Sequence, residues 1–263
     1  MRIDTTGGVF VRSETTGGPQ IWMLHGFGES SLSFQPLLES ELARFGLFAL
    51  DLPGFGVSPA AGTTVGLAEA AKIVAGLIEE RSRGAKVGLV GHSLGSAIAV
   101  EVAHTLGQRV QGLVSLEGNL TEADAYFSGL AADFDDPNAF KSDFLARVRT
   151  MAVRGSDTLW RYHASVTFAD AKALWALGCD AKRASRDDAL GEAYRAVKCP
   201  SLYYWSPEST PQATRDYLEA HEIRDHCDHG GNHWSMVDRS GEVAKVLGSF
   251  FDECFATGIG TVA

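Results

Sequence analysis

The sequence predicts an α/β fold, a mostly parallel central sheet with helices on both faces and an inserted helical segment. Three observations carry this prediction. Short apolar runs alternate with segments of helical periodicity through the first 119 residues. Several of those runs are apolar at every position, as strands covered on both faces must be. Near residue 120 the alternation stops, aromatic-rich helical sequence takes over, and the alternation resumes near residue 196.

Taken in order, "GVFVRSE" and "PQIWMLHG" read as strands, the second ending in a Gly-rich turn, and a helical stretch is expected from about Ser31 to Arg44. "FGLFALDLPGFG" reads as an apolar strand running into a Pro/Gly loop. Leu67, Ala70, Ala71, Val74, Leu77 and Ile78 mark one face of a helix. "KVGLVG" is a short apolar strand, "LGSAIAVEVAHTLG" a small-residue helix stopped by Gly107, and "VQGLVSL" another strand. Residues 120–195 show helical periodicity and no convincing strand. After them come "CPSLYYWS", a helix from about Pro211, a strand within "HEIRDHCDH" and a last helix from about Gly241 to Phe255. The expected organisation is a core formed by 1–119 and 196–256, an insertion over 120–195, and a flexible tail over 257–263.

Composition narrows the function classes. With 263 residues, 45% of them hydrophobic, the chain can bury a core without disulfide staples. Its four cysteines show no paired spacing, so reduced thiols and a cytoplasmic setting are expected. A formal net charge of -10 argues against nucleic acid as a partner. The N-terminal stretch has no apolar core of a secretory signal, and no window approaches the roughly 20 apolar residues of a membrane span. A small-molecule substrate is the expected partner.

Gly91-His92-Ser93-Leu94-Gly95 joins an apolar strand to a helix and fits G-x-S-x-G. A strand that turns this sharply into a helix strains the apex residue and leaves no room for side chains two positions to either side. The turn lifts the Ser93 hydroxyl above the sheet edge and aims the positive end of the helix at it.

On these residues the chain resembles the α/β-hydrolase family, and three further motifs in the family's order extend the resemblance over almost its whole length. "HGFGESS" (His25 to Ser31) is similar to the family's oxyanion loop, "DLPGFGVS" (Asp51 to Ser58) to the loop after its fourth strand, and "NHWSMVD" (Asn232 to Asp238) to the loop carrying its histidine. The insertion stands where the family has a cap.

The resemblance implies Ser93 as nucleophile, His233 as its base, and the backbone N–H groups of Phe27 and Leu94 as oxyanion donors. His25 is expected to order its loop and His92 to pack beside the elbow. For the acid, most of the family uses a stretch similar to G-x-x-D after the cap. Here "YYWSPESTPQ" breaks that pattern at Ser206 and Ser209 and leaves Glu208 as the nearby carboxylate. Some members take the acid from the end of the strand before the cap, where this chain has Glu117 in "VSLEGN". A carboxylate wedged behind an apolar strand is costly unless paired. Glu117 is therefore the favoured acid, with Glu208 as the alternative.

His226, Cys227, Asp228, His229 and His233 invite a metal reading, but Gly230 and Gly231 interrupt them and the spacing matches no common zinc pattern. No metal is expected. No G-x-G-x-x-G follows a strand in a dinucleotide context, so no cofactor is expected either.

The reading is a serine hydrolase acting on a small to medium apolar ester or lactone. The pocket would draw in part on Phe127, Phe134, Phe140, Phe144, Trp160, Tyr162, Phe168 and Trp175 of the insertion. The alternatives are a carbon–carbon bond hydrolase acting on a diketone and a ligand receptor on the same scaffold. Arg147, Arg149, Arg154 and Arg161 are read as a solvated helix face rather than as contacts to a substrate acid.

Overall fold

The computed structural model describes residues 1–257 apart from 16, 63 and 64; the expected tail beyond residue 257 lies outside the described residues. Eight strands form one sheet: β1 Arg2–Thr6, β2 Val9–Glu14, β3 Gln20–Leu24, β4 Gly46–Leu50, β5 Val87–His92, β6 Val110–Leu116, β7 Ser201–Trp205 and β8 Asp225–Cys227. Their spatial order is β1-β2-β4-β3-β5-β6-β7-β8. β1 pairs antiparallel with β2 and β2 antiparallel with β4, whereas every pairing among β3 to β8 is parallel, so the C-terminal ends of β3 to β8 share one edge.

The apolar runs are buried because alternate residues feed two cores. Trp22 and Leu24 of β3 enter one, with Phe48 and Leu50 of β4 and the helices α2 Leu67–Ser82 and α3 Leu94–Leu106. Ile21, Met23, Leu47 and Ala49 enter the other, against Leu37 of the single-turn α1 Gln35–Leu38 and against Val243, Leu247 and Phe251 of the C-terminal helix. That two-sided burial is the physical content of the parallel-sheet prediction.

Three features were not legible. β1 was not expected; its sequence "RIDTT" is mostly exposed and edge-paired to β2, so no buried face imprints an alternation. The stretch from Ser31 to Arg44 is not one helix but a 3₁₀ turn, α1 and a second 3₁₀ turn Glu41–Arg44. The break falls at Ser40, whose hydroxyl accepts the Leu42 N–H and caps the last piece. The strand expected in "HEIRDHCDH" is only three residues long.

Between β6 and β7 every described element is helical. Two 3₁₀ segments, Glu122–Tyr126 and Ser128–Asp133, precede α4 Pro137–Arg154, α5 Asp157–Phe168, α6 Ala171–Ala184 and α7 Ala189–Arg195. Asp136 and Asp170 cap α4 and α6 through the N–H groups of Ala139 and Ala173, at 2.7 and 2.9 Å. Phe140, Phe144, Val148 and Ala152, four residues apart, form the buried stripe of α4. Beyond β7 the chain continues through α8 Gln212–Ala220, β8, the short α9 Ser235–Asp238 and α10 Ser240–Thr257. No helix among the described residues is long and apolar enough to cross a membrane.

Candidate active site

The sheet edge brings the predicted residues together. Ser93 follows β5 and Glu117 follows β6, and their neighbours His92 and Leu116 are paired in register. The Ser93 N–H donates to the Leu116 carbonyl at 2.8 Å, and the Glu117 N–H to the Tyr204 carbonyl of β7 at 2.8 Å. Both residues have positive φ, 50° and 49°. Such conformations in non-glycine residues cost about 1–3 kcal/mol and cluster at functional sites. The glycines flanking Ser93 are required by close approach. A Cβ on Gly91 would lie 2.4 Å from the Ser96 Cα, and one on Gly95 would lie 2.4 Å from the carbonyl oxygens of Leu24 and His25.

Glu117 is buried and held from the opposite side. Its Oε1 accepts the Ser206 N–H at 2.6 Å and its Oε2 accepts the Thr210 hydroxyl at 2.9 Å. The loop after β7, where the expected aspartate pattern is broken, thus supplies donors to a carboxylate from the previous strand. Burial raises the Glu117 carboxyl above its ordinary value, and the hydroxyls of Thr210 and Ser206 oppose that rise. Glu208 is exposed and does not line the cavity that Glu117 lines.

His233 sits on the loop between β8 and α9. Asp228 pins the base of that loop, accepting from the Tyr204 hydroxyl at 2.7 Å and from Arg239 Nε at 2.9 Å. Asn232 Oδ1 accepts the Trp234 N–H at 2.7 Å and fixes the turn around the histidine. The His233 Nδ1 stands 4.0 Å from Glu117 Oε2, within ion-pair range but longer than a hydrogen bond. With Nδ1 toward the carboxylate, Nε2 is the nitrogen left to take a proton. Ser93, Glu117 and His233 line one cavity of about 110 Å³, together with Phe27, Asn119, Phe127, Tyr162 and Trp234 among others. Burial first, and then the neighbouring His92, bring His233 down to about 3, so its imidazole is an uncharged base at neutral pH.

The loop after β3 closes the other side. A Cβ on Gly26 would fall 2.9 Å from the Ser93 Cβ, so this loop lies against the serine. The backbone N–H groups of Phe27 and Leu94 have no acceptor among the described residues. The Phe27 carbonyl accepts the Tyr162 hydroxyl of α5 at 2.8 Å, which fixes the orientation of that stretch. The Phe27 ring packs against Phe140 and Phe144 of α4.

Sequence reasoning missed the group that ties these loops together. Glu29, in "HGFGESS", is buried beneath the site. Its Oε2 accepts the Gly26 N–H at 3.1 Å and lies 3.0 Å from His92 Nδ1, and its Oε1 accepts the Trp234 indole N–H at 2.7 Å. His92 Nε2 lies 2.7 Å from the His233 carbonyl. A ring with acceptors at both nitrogens donates from both and is therefore an imidazolium. Burial alone would lower His92, but the charge and hydrogen bond of Glu29 outweigh it and raise the ring above its ordinary value. Burial would raise Glu29, and His92 instead brings it down to about 2. The available signal was a carboxylate among small residues in an otherwise uncharged loop, which had to find a partner if buried. His25, by contrast, orders its loop as expected: its Nε2 accepts the Leu52 N–H at 3.0 Å.

Of the aromatic residues in the helical segment, Phe127 and Tyr162 line the cavity. Phe140 and Phe144 are buried behind Phe27, Trp175 donates to the Phe134 carbonyl at 2.8 Å, and Trp160 and Phe168 are exposed. None of Arg147, Arg149, Arg154 and Arg161 lines it; Arg161 borders a separate groove of about 410 Å³ beyond Tyr162 and Trp234. Among the described residues no three His, Cys, Asp or Glu side chains are grouped to hold a metal ion, and the four cysteines are unbridged.

A strained serine at a strand-to-helix turn, at the edge of a parallel sheet and sharing a cavity with an imidazole and a carboxylate, defines a class of scaffold. Residues 19–216 match the alpha/beta hydrolase fold family, and the chain belongs to it. It is 31% identical over 100 residues to a pimeloyl-[acyl-carrier protein] methyl ester esterase of Aeromonas hydrophila, 38% of this chain and 37% of that one. It is 34% identical over 104 residues to a 2-(acetamidomethylene)succinate hydrolase of Mesorhizobium japonicum, 40% of this chain and 37% of that one. The chain spans between 22% and 40% of the length of the curated relatives it matches. A solved structure of a putative aryl esterase from Burkholderia cenocepacia superposes with a TM-score of 0.76 at 17% identity, covering 94% of this chain and 95% of that one.

Proposed function

We propose that the protein is a serine hydrolase of small, uncharged carboxylic esters or lactones. The observation that carries this reading is the single cavity onto which Ser93, His233 and Glu117 open together. In this reading Ser93 Oγ attacks the carbonyl carbon while His233 Nε2 takes its proton. The N–H groups of Phe27 and Leu94 receive the developing oxyanion, each worth about 2.7–4 kcal/mol of barrier. His233 then protonates the leaving alcohol and deprotonates the water that releases the acid. Glu117 holds the imidazole and balances the charge that forms on it. The helical segment between β6 and β7 acts as the cap that walls the cavity.

Size and charge support the restriction to small uncharged substrates. A water needs about 10–15 Å³ on the same scale, so a cavity of about 110 Å³ has room for a group the size of several waters, which suits a short acyl or alcohol fragment. Glu117 and Asp124 line it and no lysine or arginine does, while the charge of Glu29 is balanced by His92, so an anionic substrate finds no cation to pair with. The two relatives whose names refer to acidic or carrier-bound substrates are therefore guides to the reaction type rather than to the substrate.

A fluorophosphonate probe should label the protein once, on the peptide carrying Ser93, and 4-nitrophenyl acetate or butyrate should be turned over many times. Labelling without turnover on any ester would favour a ligand receptor on this scaffold, and labelling at another residue would remove Ser93 from the chemistry.

The pH profile gives a second test. His233, brought down to about 3, is already unprotonated across the range in which ordinary histidines titrate. The acid limb of kcat/KM is therefore carried by Glu117, whose carboxyl is raised by burial and must ionise. Thr210→Val removes a donor that favours the carboxylate and should shift the limb to higher pH. A limb at the usual imidazole value of 6.5 that Thr210→Val does not move would assign it to His233 instead.

A further inference from the structure

The cavity contains polar groups that the chemistry above does not use. Asn119, two residues beyond Glu117, is 5% exposed and lines it, yet its side-chain amide has no hydrogen-bond partner among the described residues. Ser128, also 5% exposed on the same cavity, has an equally unpartnered hydroxyl. The neighbouring polar side chains are occupied. Asp124 accepts the N–H groups of Leu120 and Thr121 and the Thr214 hydroxyl, and Ser209 pairs with Ser206. Asn119 and Ser128 open onto the cavity rather than onto protein partners, so they are free to bond to whatever occupies it.

We infer that Asn119 is a specificity-determining residue that recognises an uncharged hydrogen-bonding group, a carboxamide or a hydroxyl, carried near the ester. This rests on the reading of Ser93 as nucleophile in the same cavity and narrows the substrate class. An asparagine amide offers both donors and an acceptor, and so matches a neutral group with both capacities. The remaining walls are largely apolar: Phe27, Phe127, Met151, Pro211 and the rings of Tyr162 and Trp234. A carboxylate would satisfy the amide's donors but would share the cavity with Glu117 and Asp124 and with no lysine or arginine. A plain alkyl group would leave the amide unpaired, which is how a polar site discriminates against an analogue lacking the matching group. Ser128 lines the same cavity, and its hydroxyl is a second partner available to such a group.

Four 4-nitrophenyl esters of similar size separate the cases: butyrate, N-acetylglycinate, 3-hydroxybutyrate and monosuccinate. Wild-type kcat/KM should be at least about tenfold higher for the amide or the hydroxy ester than for butyrate, and lowest for the succinate, a tenfold ratio being the effect of roughly one good hydrogen bond. Whichever of the two is preferred identifies the group. Asn119→Leu should remove that preference, mainly through KM of the preferred ester, bringing its kcat/KM to within about twofold of that for butyrate in the same variant. An equal loss on all four esters, or a wild type that ranks butyrate first, overturns the inference. If the leucine variant does not fold, the wild-type ranking still decides. Butyrate turnover with no such ranking sinks this inference alone, whereas absence of turnover and of Ser93 labelling takes the underlying reading down with it.

Discussion

Glu117→Gln is expected to lower kcat by about 10⁴, the loss seen when the acid of a serine-protease triad becomes its amide, while Glu208→Gln leaves it within about twofold. The contrast follows from where the two side chains lie. Glu117 emerges at the sheet edge next to Ser93, is buried, and is aimed between the Ser206–Thr210 loop and His233. Glu208 is on the exposed crest of that loop. The amide keeps the shape but presents a donor as well as an acceptor, so it can turn its NH₂ toward His233 and favour the wrong tautomer. It also removes the charge that offsets the imidazolium. At 4.0 Å the present His233–Glu117 separation is open, and such contacts often shorten only when substrate is bound. KM should change little, because Glu117 acts on the transition state rather than on bound ester. Equal losses from both substitutions, or a loss confined to Glu208→Gln, would transfer the role to the loop after β7.

Most of the fold was legible because burial writes itself into sequence. Strands apolar on both faces, such as β4 and β5, and the four-residue repeat of α4 follow from the surfaces they bury. β1 left no trace because its side chains serve no core. The places of Ser93 and His233 at the sheet edge were legible for a different reason: their loops need particular residue types to make their turns. The partners of Glu117 were not legible. Ser206 and Thr210 reach it only because β6 and β7 are neighbours, although 89 and 93 residues separate them in sequence. The same applies to Glu29, whose contacts lie 63 residues away in His92 and 205 in Trp234. Long-range polar pairing has no periodicity, and only the presence of a carboxylate in an apolar setting hints that a partner exists.

That buried pair underlies the largest expected change in stability. Glu29→Ala should destabilise the fold by about 3–5 kcal/mol, the usual cost of stranding one member of a buried ion pair, lowering Tm on the order of 10 °C. The substitution leaves His92 in a buried setting without its carboxylate and strands the Gly26 and Trp234 N–H groups. Its pH dependence is diagnostic. Glu29 is depressed from 4.5, so its contribution is present above 4.5 and is lost as pH falls toward about 2. His92 is raised from 6.5, so its contribution is complete below 6.5 and is lost as pH rises through the raised value. The gap between wild type and variant should therefore be widest between pH 4.5 and 6.5 and narrow on both sides. Denaturant titrations across pH measure it. A gap that is flat with pH would mean that Glu29 contributes packing and hydrogen bonds but no charge. Activity should respond as well, because Glu29 joins the loop bearing Phe27, the elbow bearing Ser93 and the loop bearing His233. Glu29→Gln preserves the shape and can still accept from Trp234, so it should destabilise less than alanine. It nevertheless removes the negative charge that keeps His92 protonated; the neutral ring can still donate from Nε2 to the His233 carbonyl only with Nδ1 accepting from the new NH₂, and the Gly26 N–H then loses its acceptor. A double-mutant cycle of Glu29→Gln with His92→Asn should then show a coupling of about 1–3 kcal/mol. Additive losses would break the proposed link between the two loops and the elbow.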